Sequence, residues 1–254
     1  MSKQRAVIAI HGFSGHPEEM RFLGEHVAKQ LQAALFLSTI PGHATSPADL
    51  ARTNRTDWYR GIEKVFDQVA ALHDEIIVIG NSFGANLALK LARYRSPRAI
   101  VGIAIPYTRW YQRSLLRFLL AVNRPFRTFW TKPQAGPRAT EKISGYTQRC
   151  YEQIPLSAMA ELLRFEIEEA TEHKKAGAIH VPTLLISPKG DPFVPPEALQ
   201  IYQERLGQRV ETSHWKDTYH LIVQGARKKE LAEVIGDWAT RQLSDSFDEL
   251  LRAR

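Results

Sequence analysis

Ser82 stands between two glycines in the stretch GNSFGAN, residues 80–86, and could serve as a nucleophile. The apolar run EIIVI precedes this stretch and the helical pattern LALKLARY follows it, so a strand gives way to a helix here. A sharp turn crowds the backbone, and glycine relieves the crowding because it has no Cβ. A serine at the apex exposes its hydroxyl, which is the geometry of a nucleophile elbow. The pattern alone arises by chance in about one chain in twenty of this length. Whether Ser82 is a nucleophile must therefore be judged from the residues and elements around it.

Three further polar features follow strand candidates. The stretch HGF, residues 11–13, follows AVIAI, Asp191 follows TLLISPKG, and His220 comes a short loop after VETSHW. In open α/β sheets, ligands bind beyond the carboxyl ends of the strands, where all these features fall. Serine, then aspartate, then histidine is a chain order expected for a catalytic triad, in which histidine accepts the serine proton. The sequence therefore predicts nucleophilic catalysis at Ser82.

Two of these assignments have competitors in the sequence. His214 and His180 compete with His220 as the base, but His214 lies within or at the end of the last strand, where its side chain is packed or exposed. Asp217 competes with Asp191, but it lies only three residues before His220 and does not directly follow a strand. We therefore favour His220 and Asp191.

Strand and helix patterns alternate along the chain, which predicts a parallel sheet covered by helices on both faces. The strand candidates are RAVIAI, ALFLST, EIIVIG, RAIVGIAIP, VPTLLIS and, at an edge, QRVETSHW. Three helices are expected to bury one face each. These faces comprise Met20, Leu23, Val27 and Leu31; Trp58, Ile62, Phe66, Val69 and Leu72; and Leu231, Val234, Ile235 and Trp238.

The segment 106–176 interrupts this alternation, is rich in helix formers and has no clear strand. We predict an α-helical cap there, inserted into an α/β core formed by residues 1–105 and 177–254. Between residues 108 and 151 the chain has nine Lys and Arg but only one Glu, whereas its overall net charge is +7. A basic block of this kind is either a solvated face or a surface for an anionic partner.

One helix candidate in this segment is amphipathic and basic. Its apolar face and its arginines allow two interpretations, a lid over the active site or a helix lying against an anionic membrane. The lid is the commoner arrangement. The apolar face comprises Tyr111, Leu115, Phe118, Leu119 and Val122, and the arginines are Arg109, Arg113 and Arg117.

The composition is that of an ordinary globular protein, with 254 residues, 44% hydrophobic and 24% charged. The apolar run 6–10 is too short for a signal sequence, and no run of 18 apolar residues suggests a membrane span, so a cytoplasmic location is expected.

Cys150 is the only cysteine, which excludes an intramolecular disulfide and favours an incidental thiol. His11 and His43 have no other potential metal ligands near them in the sequence. We expect them to stabilise the loops in which they lie. We expect no cofactor, no metal and no nucleic-acid partner.

The stretches HGFSG, EEMRFLGEHVAKQL, PGH, GNSFGA, GDPFVPPEAL and YHLI together resemble the α/β-hydrolase superfamily, and within it the bacterial carboxylesterases and monoacylglycerol lipases. The resemblance covers nearly the whole chain except the insertion, which corresponds to the variable cap of that family. It implies a mostly parallel sheet of about six to seven strands, without the first strands of larger members. The chain departs from familiar members in carrying Asn81 and Phe83 in the elbow, and HGF where some esterases have HGGG.

The resemblance also implies a mechanism with an acyl-enzyme on Ser82. His220 would act as general base and Asp191 would orient it. The backbone N–H of Phe83, the residue after the nucleophile, would form an oxyanion hole with that of Phe13, which the family pattern supplies.

The substrate is less closely defined by the sequence. An esterase or lipase acting on monoacyl lipids or small esters is the leading hypothesis, and a thioesterase or acyltransferase would share the triad. Epoxide and halide chemistry is disfavoured because those relatives have aspartate in place of Ser82, and a non-catalytic binding protein would lack a triad member. Met20 and Phe13 are candidates for the acyl pocket, with core packing an equal alternative for Met20. The oligomeric state stays open.

Overall fold

Strands and helices alternate along the chain in the computed structural model, which describes residues 4–107, 110–123, 128–131, 151–175, 179–191, 193–207, 209–216 and 220–252. The described strands are β1 (Arg5–Ile10), β2 (Ala34–Ser38), β3 (Glu75–Asn81), β4 (Ala99–Ile103), β5 (Phe129–Thr131), β6 (Gln153–Pro155), β7 (Thr183–Pro188) and β8 (Val210–Trp215). The described α-helices are α1 (Arg21–Leu31), α2 (Pro47–Arg52), α3 (Arg55–Ala70), α4 (Phe83–Tyr94), α5 (Trp110–Asn123), α6 (Leu156–Lys175), α7 (Ala198–Leu206) and α8 (Lys228–Arg252).

Six of the strands form one sheet in the order β2-β1-β3-β4-β7-β8, and every neighbouring pair is parallel. The predicted parallel α/β sheet of six to seven strands is confirmed, with β8 at one edge. The chain runs from β1 outward to β2 and then returns to place β3 on the other side of β1. In open α/β sheets, ligands usually bind at the carboxyl edge where the strand order reverses, and in this sheet that position lies between β1 and β3.

Alternate residues of the strands enter two cores, one on each face of the sheet, because successive side chains of a strand point to opposite faces. Ile8 and Val78 belong to the core that contains residues of α3 and α4. Val7 and Ile77 belong to the core that contains residues of α1 and α8. Both faces of the central strands are covered, which explains why their sequences are continuous apolar runs.

Most of the predicted helix faces are buried, but two of their members are exposed. Leu72 is 71% exposed because α3 ends at Ala70 and leaves it in the following turn. Val234 is 38% exposed at the margin of a stripe whose other members, Leu231, Ile235 and Trp238, are buried. The prediction was wrong at these two positions.

The chain also contains a short helix that the hydrophobic pattern does not predict. Helix α2 begins where Ser46, as N-cap, accepts a hydrogen bond from the backbone N–H of Asp49, and Pro47 occupies the first turn. Both are standard signals for a helix start. The helix has only one turn and a half and buries only Leu50, so no apolar period reveals it.

The described residues of the segment 106–176 consist of two helices and a small hairpin-like sheet. β5 and β6 pair antiparallel, so the expectation that this segment has no strand was wrong. Each strand has three residues, which is too short for a period of two to be recognised. Cys150 and most of the basic residues of this segment lie outside the described residues, and the cap boundaries stay a prediction.

Helix α6 is attached to the core helices by partly buried ion pairs. Lys90 Nζ and Arg93 Nη1 of α4 lie 2.6 and 3.0 Å from the two carboxylate oxygens of Glu169. Arg55 of α3 lies 2.6 Å from Glu168. The side chains of Arg93 and Glu169 are only 6% and 8% exposed. Burial raises the pKa of the Glu169 carboxyl, against the opposite effect of Arg93 and Lys90, so this carboxylate depends on its partners.

The turn from β3 into α4 brings the first turn of α4 against the end of β1. A Cβ at Gly84 would lie 2.4 Å from the carbonyl oxygen of Ile10, and one at Gly80 would lie 2.2 Å from the carbonyl oxygen of Gly84. Real Cβ atoms do not approach backbone atoms so closely. Glycine is therefore required at both positions, and the two glycines of the elbow motif have a physical explanation.

We expect Arg93→Met to lower the free energy of unfolding by about 3 kcal/mol, because it leaves the buried Glu169 carboxylate with one partner fewer. The measurement is equilibrium unfolding in urea. Arg21→Met is the matched control, because Arg21 pairs with Glu18 and Glu25 on the surface, where a pair contributes about 0–1 kcal/mol. If both substitutions lowered the free energy of unfolding by the same amount, the buried ion pairs would not contribute more to stability than the surface pairs.

We expect Gly84→Ala to destabilise the protein by about 1–3 kcal/mol, because the added methyl overlaps backbone atoms that cannot move independently. Urea unfolding measures this change as well. Gly225→Ala is the matched control, since the nearest atom to its Cβ would be 3.5 Å away, an ordinary contact. A Gly84→Ala protein as stable as the wild type would contradict the close approach.

Candidate active site

Ser82 occupies the apex of the turn between β3 and α4 in a conformation that L-residues rarely adopt, with φ 52° and ψ −121°. Its N–H donates to the carbonyl oxygen of Ile103, 2.8 Å away on the neighbouring strand, and its own carbonyl accepts from Ala85 N–H at 2.9 Å. Such strain persists only where the surrounding structure holds it in place, and it is concentrated at functional sites. The backbone of Ser82 therefore supports the elbow expected from the sequence.

His220 connects Ser82 to Asp191. Its Nε2 lies 2.9 Å from Ser82 Oγ, and its Nδ1 lies 2.7 Å from Asp191 Oδ2. The carboxylate can only accept, so Nδ1–H donates to Asp191 and Nε2 is left to accept from the serine hydroxyl. The Asp191 side chain is fully buried, whereas that of His220 is 22% exposed. The arrangement can transfer a proton from serine to histidine while the carboxylate stabilises the imidazolium.

Phe193 is a neighbour of the site that the sequence analysis did not identify. Its backbone N–H donates to Asp191 Oδ1 at 2.8 Å, so both carboxylate oxygens are hydrogen-bonded. Its ring, 60% exposed, lies 4.8 Å from that of His220 between centroids. The signal in the sequence is slight, an aromatic residue two positions after the aspartate. Phe193 therefore both orients Asp191 and covers one side of His220.

The aromatic cluster (Phe13, His43, Trp58, Phe83 and Phe165) brings the two predicted oxyanion residues together. The rings of Phe13 and Phe83 meet edge to face at 5.9 Å, and each also contacts Trp58, at 5.6 and 5.4 Å. Phe165 of α6 packs on Phe83 at 5.1 Å. The cluster thus packs the loop after β1, which carries Phe13, against the first turn of α4, which carries Phe83.

The N–H of Phe83 is the first of α4, and the first N–H groups of a helix have no partner within the helix. The helix dipole adds a partial positive charge at this end. Developing negative charge beside Ser82 would therefore meet a favourable electrostatic environment.

The remaining candidate residues lie elsewhere. Met20 is fully buried in the core that contains α1 and α8, whereas Phe13 and Phe83 belong to the core on the opposite face. Met20 is thus packed in a core, and its place in an acyl pocket stays a prediction. His214 and His180 are exposed, and Asp217 lies outside the described residues.

His11 and His43 are buried beside one another, with ring centroids 5.4 Å apart. Burial lowers the pKa of His11 to about 3, so its imidazole is neutral at ordinary pH. In the described part of the chain, no group of three or more His, Cys, Asp and Glu side chains could hold a metal ion. No helix within the same residues combines the length and apolarity needed to cross a membrane.

The sequence matches the alpha/beta hydrolase family over residues 7–234. It is 28% identical over 223 residues to a thermostable monoacylglycerol lipase from Bacillus sp. (strain H-257), a match that covers 85% of this chain and 82% of that protein. It is 21% identical over 220 residues to a carboxylesterase from Bacillus subtilis (strain 168), covering 86% and 85%.

Solved structures share the fold over nearly the whole chain. A structure reported for the metagenome-derived lipolytic enzymes LipS and LipT has a TM-score of 0.78 at 21% identity and covers 95% of both chains. The monoacylglycerol lipase of Paleococcus ferrophilus has a TM-score of 0.72 at 18% identity, covering 93% of this chain and 94% of that one. With this sheet order and a family match from residue 7 to residue 234, the chain belongs to the alpha/beta hydrolase family.

Proposed function

We propose that the protein is a serine hydrolase that cleaves carboxylic esters, with monoacyl lipids or small esters as substrates. The observation that carries the proposal is the continuous hydrogen-bonded chain from Ser82 Oγ through His220 to the buried Asp191 carboxylate. The similar monoacylglycerol lipase and carboxylesterase support the choice of ester over other acyl compounds. A complete triad favours an enzyme over a binding protein on the same fold.

The proposed reaction begins when Ser82 Oγ attacks the ester carbonyl carbon and its proton passes to His220 Nε2. The backbone N–H groups of Phe13 and Phe83 stabilise the oxyanion of the tetrahedral intermediate. His220 then protonates the departing alkoxide, which leaves an acyl group on Ser82. Water then attacks the acyl carbonyl carbon as His220 takes its proton, and His220 returns a proton to Ser82 Oγ as the acid departs, while Asp191 holds the imidazole in place.

Helix α6 supports a role for the segment 106–176 in the acyl pocket. Its Phe165 contacts Phe83, and its ion pairs with Lys90 and Arg93 fix it on α4, the helix that follows the nucleophile. We propose that this segment is the cap and that it forms part of the wall around the acyl chain.

The exposed apolar residues of helix α5 favour a contact with lipid surfaces. Leu115, Phe118, Leu119 and Val122 are 43–63% exposed, and Arg117 is exposed beside them. A contiguous exposed apolar face marks an interaction surface. With the basic residues of this segment, it suits an anionic membrane that contains monoacyl lipid esters. We propose that α5 makes this peripheral contact.

We expect Ser82→Ala, His220→Ala and Asp191→Asn each to reduce hydrolysis of p-nitrophenyl butyrate by at least about a thousandfold, because the members of a triad act as a unit. A fluorophosphonate probe should label Ser82 alone, as peptide mass spectrometry would show.

His214→Ala is the matched control for the histidine, because His214 is exposed on β8, and it should keep the wild-type rate. Labelling at another serine, with Ser82→Ala still active, would overturn the mechanism. Faster cleavage of a thioester than of its chain-matched ester would replace the proposed substrate class with thioesters.

We expect the protein to co-sediment with phosphatidylglycerol vesicles at low salt and to be released by added salt. Each basic residue near anionic lipid contributes about 1 kcal/mol, and salt screens this attraction. Arg113→Glu/Arg117→Glu should abolish the binding. Arg52→Glu/Arg241→Glu makes the same charge change at exposed positions outside the segment and should reduce binding only slightly. Equal, negligible binding of all three proteins would leave α5 as an ordinary lid.

A further inference from the structure

The imidazole of His11 is fully buried and makes two hydrogen bonds with opposite roles. Its Nε2 lies 3.1 Å from the backbone nitrogen of Ile40, and its Nδ1 lies 2.8 Å from the carbonyl oxygen of Gly12. A backbone N–H can only donate, so Nε2 must be the bare, accepting nitrogen. The ring proton is therefore on Nδ1, which donates to Gly12.

The carbonyl of Gly12 and the N–H of Phe13 are the two ends of one planar peptide unit. Any group that holds the oxygen of this unit also fixes the direction of its N–H. Gly12 O accepts a second hydrogen bond, from Gly15 N–H at 3.1 Å. Hydrogen bonds to a carbonyl polarise the peptide and make its N–H a stronger donor.

We propose that His11 is a positioning residue for ester hydrolysis, whose Nδ1–H holds and polarises the Gly12–Phe13 peptide so that Phe13 N–H faces the oxyanion. This inference rests on the function proposed above. His11 touches neither substrate nor Ser82 in this role; it acts through a main-chain group. It also explains why the residue before the glycine is a histidine rather than another buried side chain of similar size.

The surroundings keep the ring in one protonation state. Burial lowers the pKa of His11 to about 3, with the nearby His43 acting in the same direction and the Gly12 carbonyl opposing. The neutral ring has one proton, and Ile40 N–H excludes it from Nε2. The direction of the hydrogen bond to Gly12 is thus fixed by the single proton of the neutral ring and by Ile40 N–H.

Two substitutions separate the two hydrogen bonds. In His11→Asn the side-chain amide can occupy the Nδ1 position and donate to Gly12, whereas in His11→Gln it reaches the Nε2 position and accepts from Ile40. We expect His11→Gln to lose about ten- to hundredfold in kcat with little change in KM, because removal of an entire oxyanion donor costs about a hundred- to a thousandfold. His11→Asn should keep most of the wild-type kcat.

Inhibition by an aryl trifluoromethyl ketone provides a readout that a purely structural role would not move. The ketone forms a tetrahedral adduct with Ser82 whose oxyanion occupies the hole, so its Ki should rise in His11→Gln in proportion to the loss of kcat/KM. His73→Gln is the matched control. His73 Nδ1 also bonds a backbone carbonyl, that of Val69, but it lies at the amino end of β3, away from the site. It should leave kcat and Ki unchanged.

Long-range ¹H–¹⁵N NMR of the wild-type protein tests the tautomer without any substitution. The His11 signals should show Nδ1–H and bare Nε2 from pH 5 to pH 9, and an Nε2–H tautomer would overturn the inference. Equal kcat values for His11→Gln and the wild type would also overturn it. So would equal losses of kcat in His11→Gln and His11→Asn, if those losses are proportional to the decrease in the melting temperature of each variant. A wild-type protein that hydrolyses no ester and takes up no fluorophosphonate would instead overturn the proposed function, and this inference with it.

Discussion

The close contact between the first turn of α4 and the carboxyl end of β1 is the constraint on which the site depends. At Gly84 the helix backbone approaches the carbonyl groups of Ile10 and His11 so closely that no side chain fits between them. The turn that leads into this contact has its apex at Ser82, which holds the unusual φ of 52°. The contact places the HGF loop beside the serine, since that loop begins where β1 ends. The proposed nucleophile and the two segments that carry the proposed oxyanion donors therefore meet at one backbone contact.

The positions of the sheet strands and the three residues of the hydrogen-bonded chain could be predicted from sequence because they follow local rules. Apolar runs mark buried strands, and polar residues just after such runs fall at one edge of a parallel sheet. Ser82 and Asp191 follow such runs closely and His220 follows the edge strand by a short loop, although these residues lie as much as 138 positions apart. The assignment of Phe13 as an oxyanion donor needed the family resemblance, since nothing local distinguishes its N–H from others in a loop.

What could not be predicted depends on tertiary contacts or on very short elements. The strands β5 and β6 stabilise each other across a long separation in sequence, and neither has a pattern of its own. Phe193 acquires its role from its ring contact with His220, 27 positions further along. Glu169 looks like one more charged residue of a surface helix, yet it is buried against Arg93. Charge and hydropathy patterns do not show which polar residues a partner element will cover.

The order of the strands has a consequence for how this protein can change over evolution. β4 and β7 are hydrogen-bonded neighbours, with Ile100 opposite Thr183, although the whole segment 106–176 lies between them in the chain. Because the two strands are parallel, the chain leaves the carboxyl end of β4 and re-enters the sheet at the amino end of β7, so the sheet fixes where this connection starts and where it ends. Lengthening a connection whose ends are fixed costs only about 0.6 kcal/mol for each doubling. The connection between β4 and β7 can thus be lengthened, by recombination or by design, while the sheet keeps the strands that precede Ser82 and Asp191 in register.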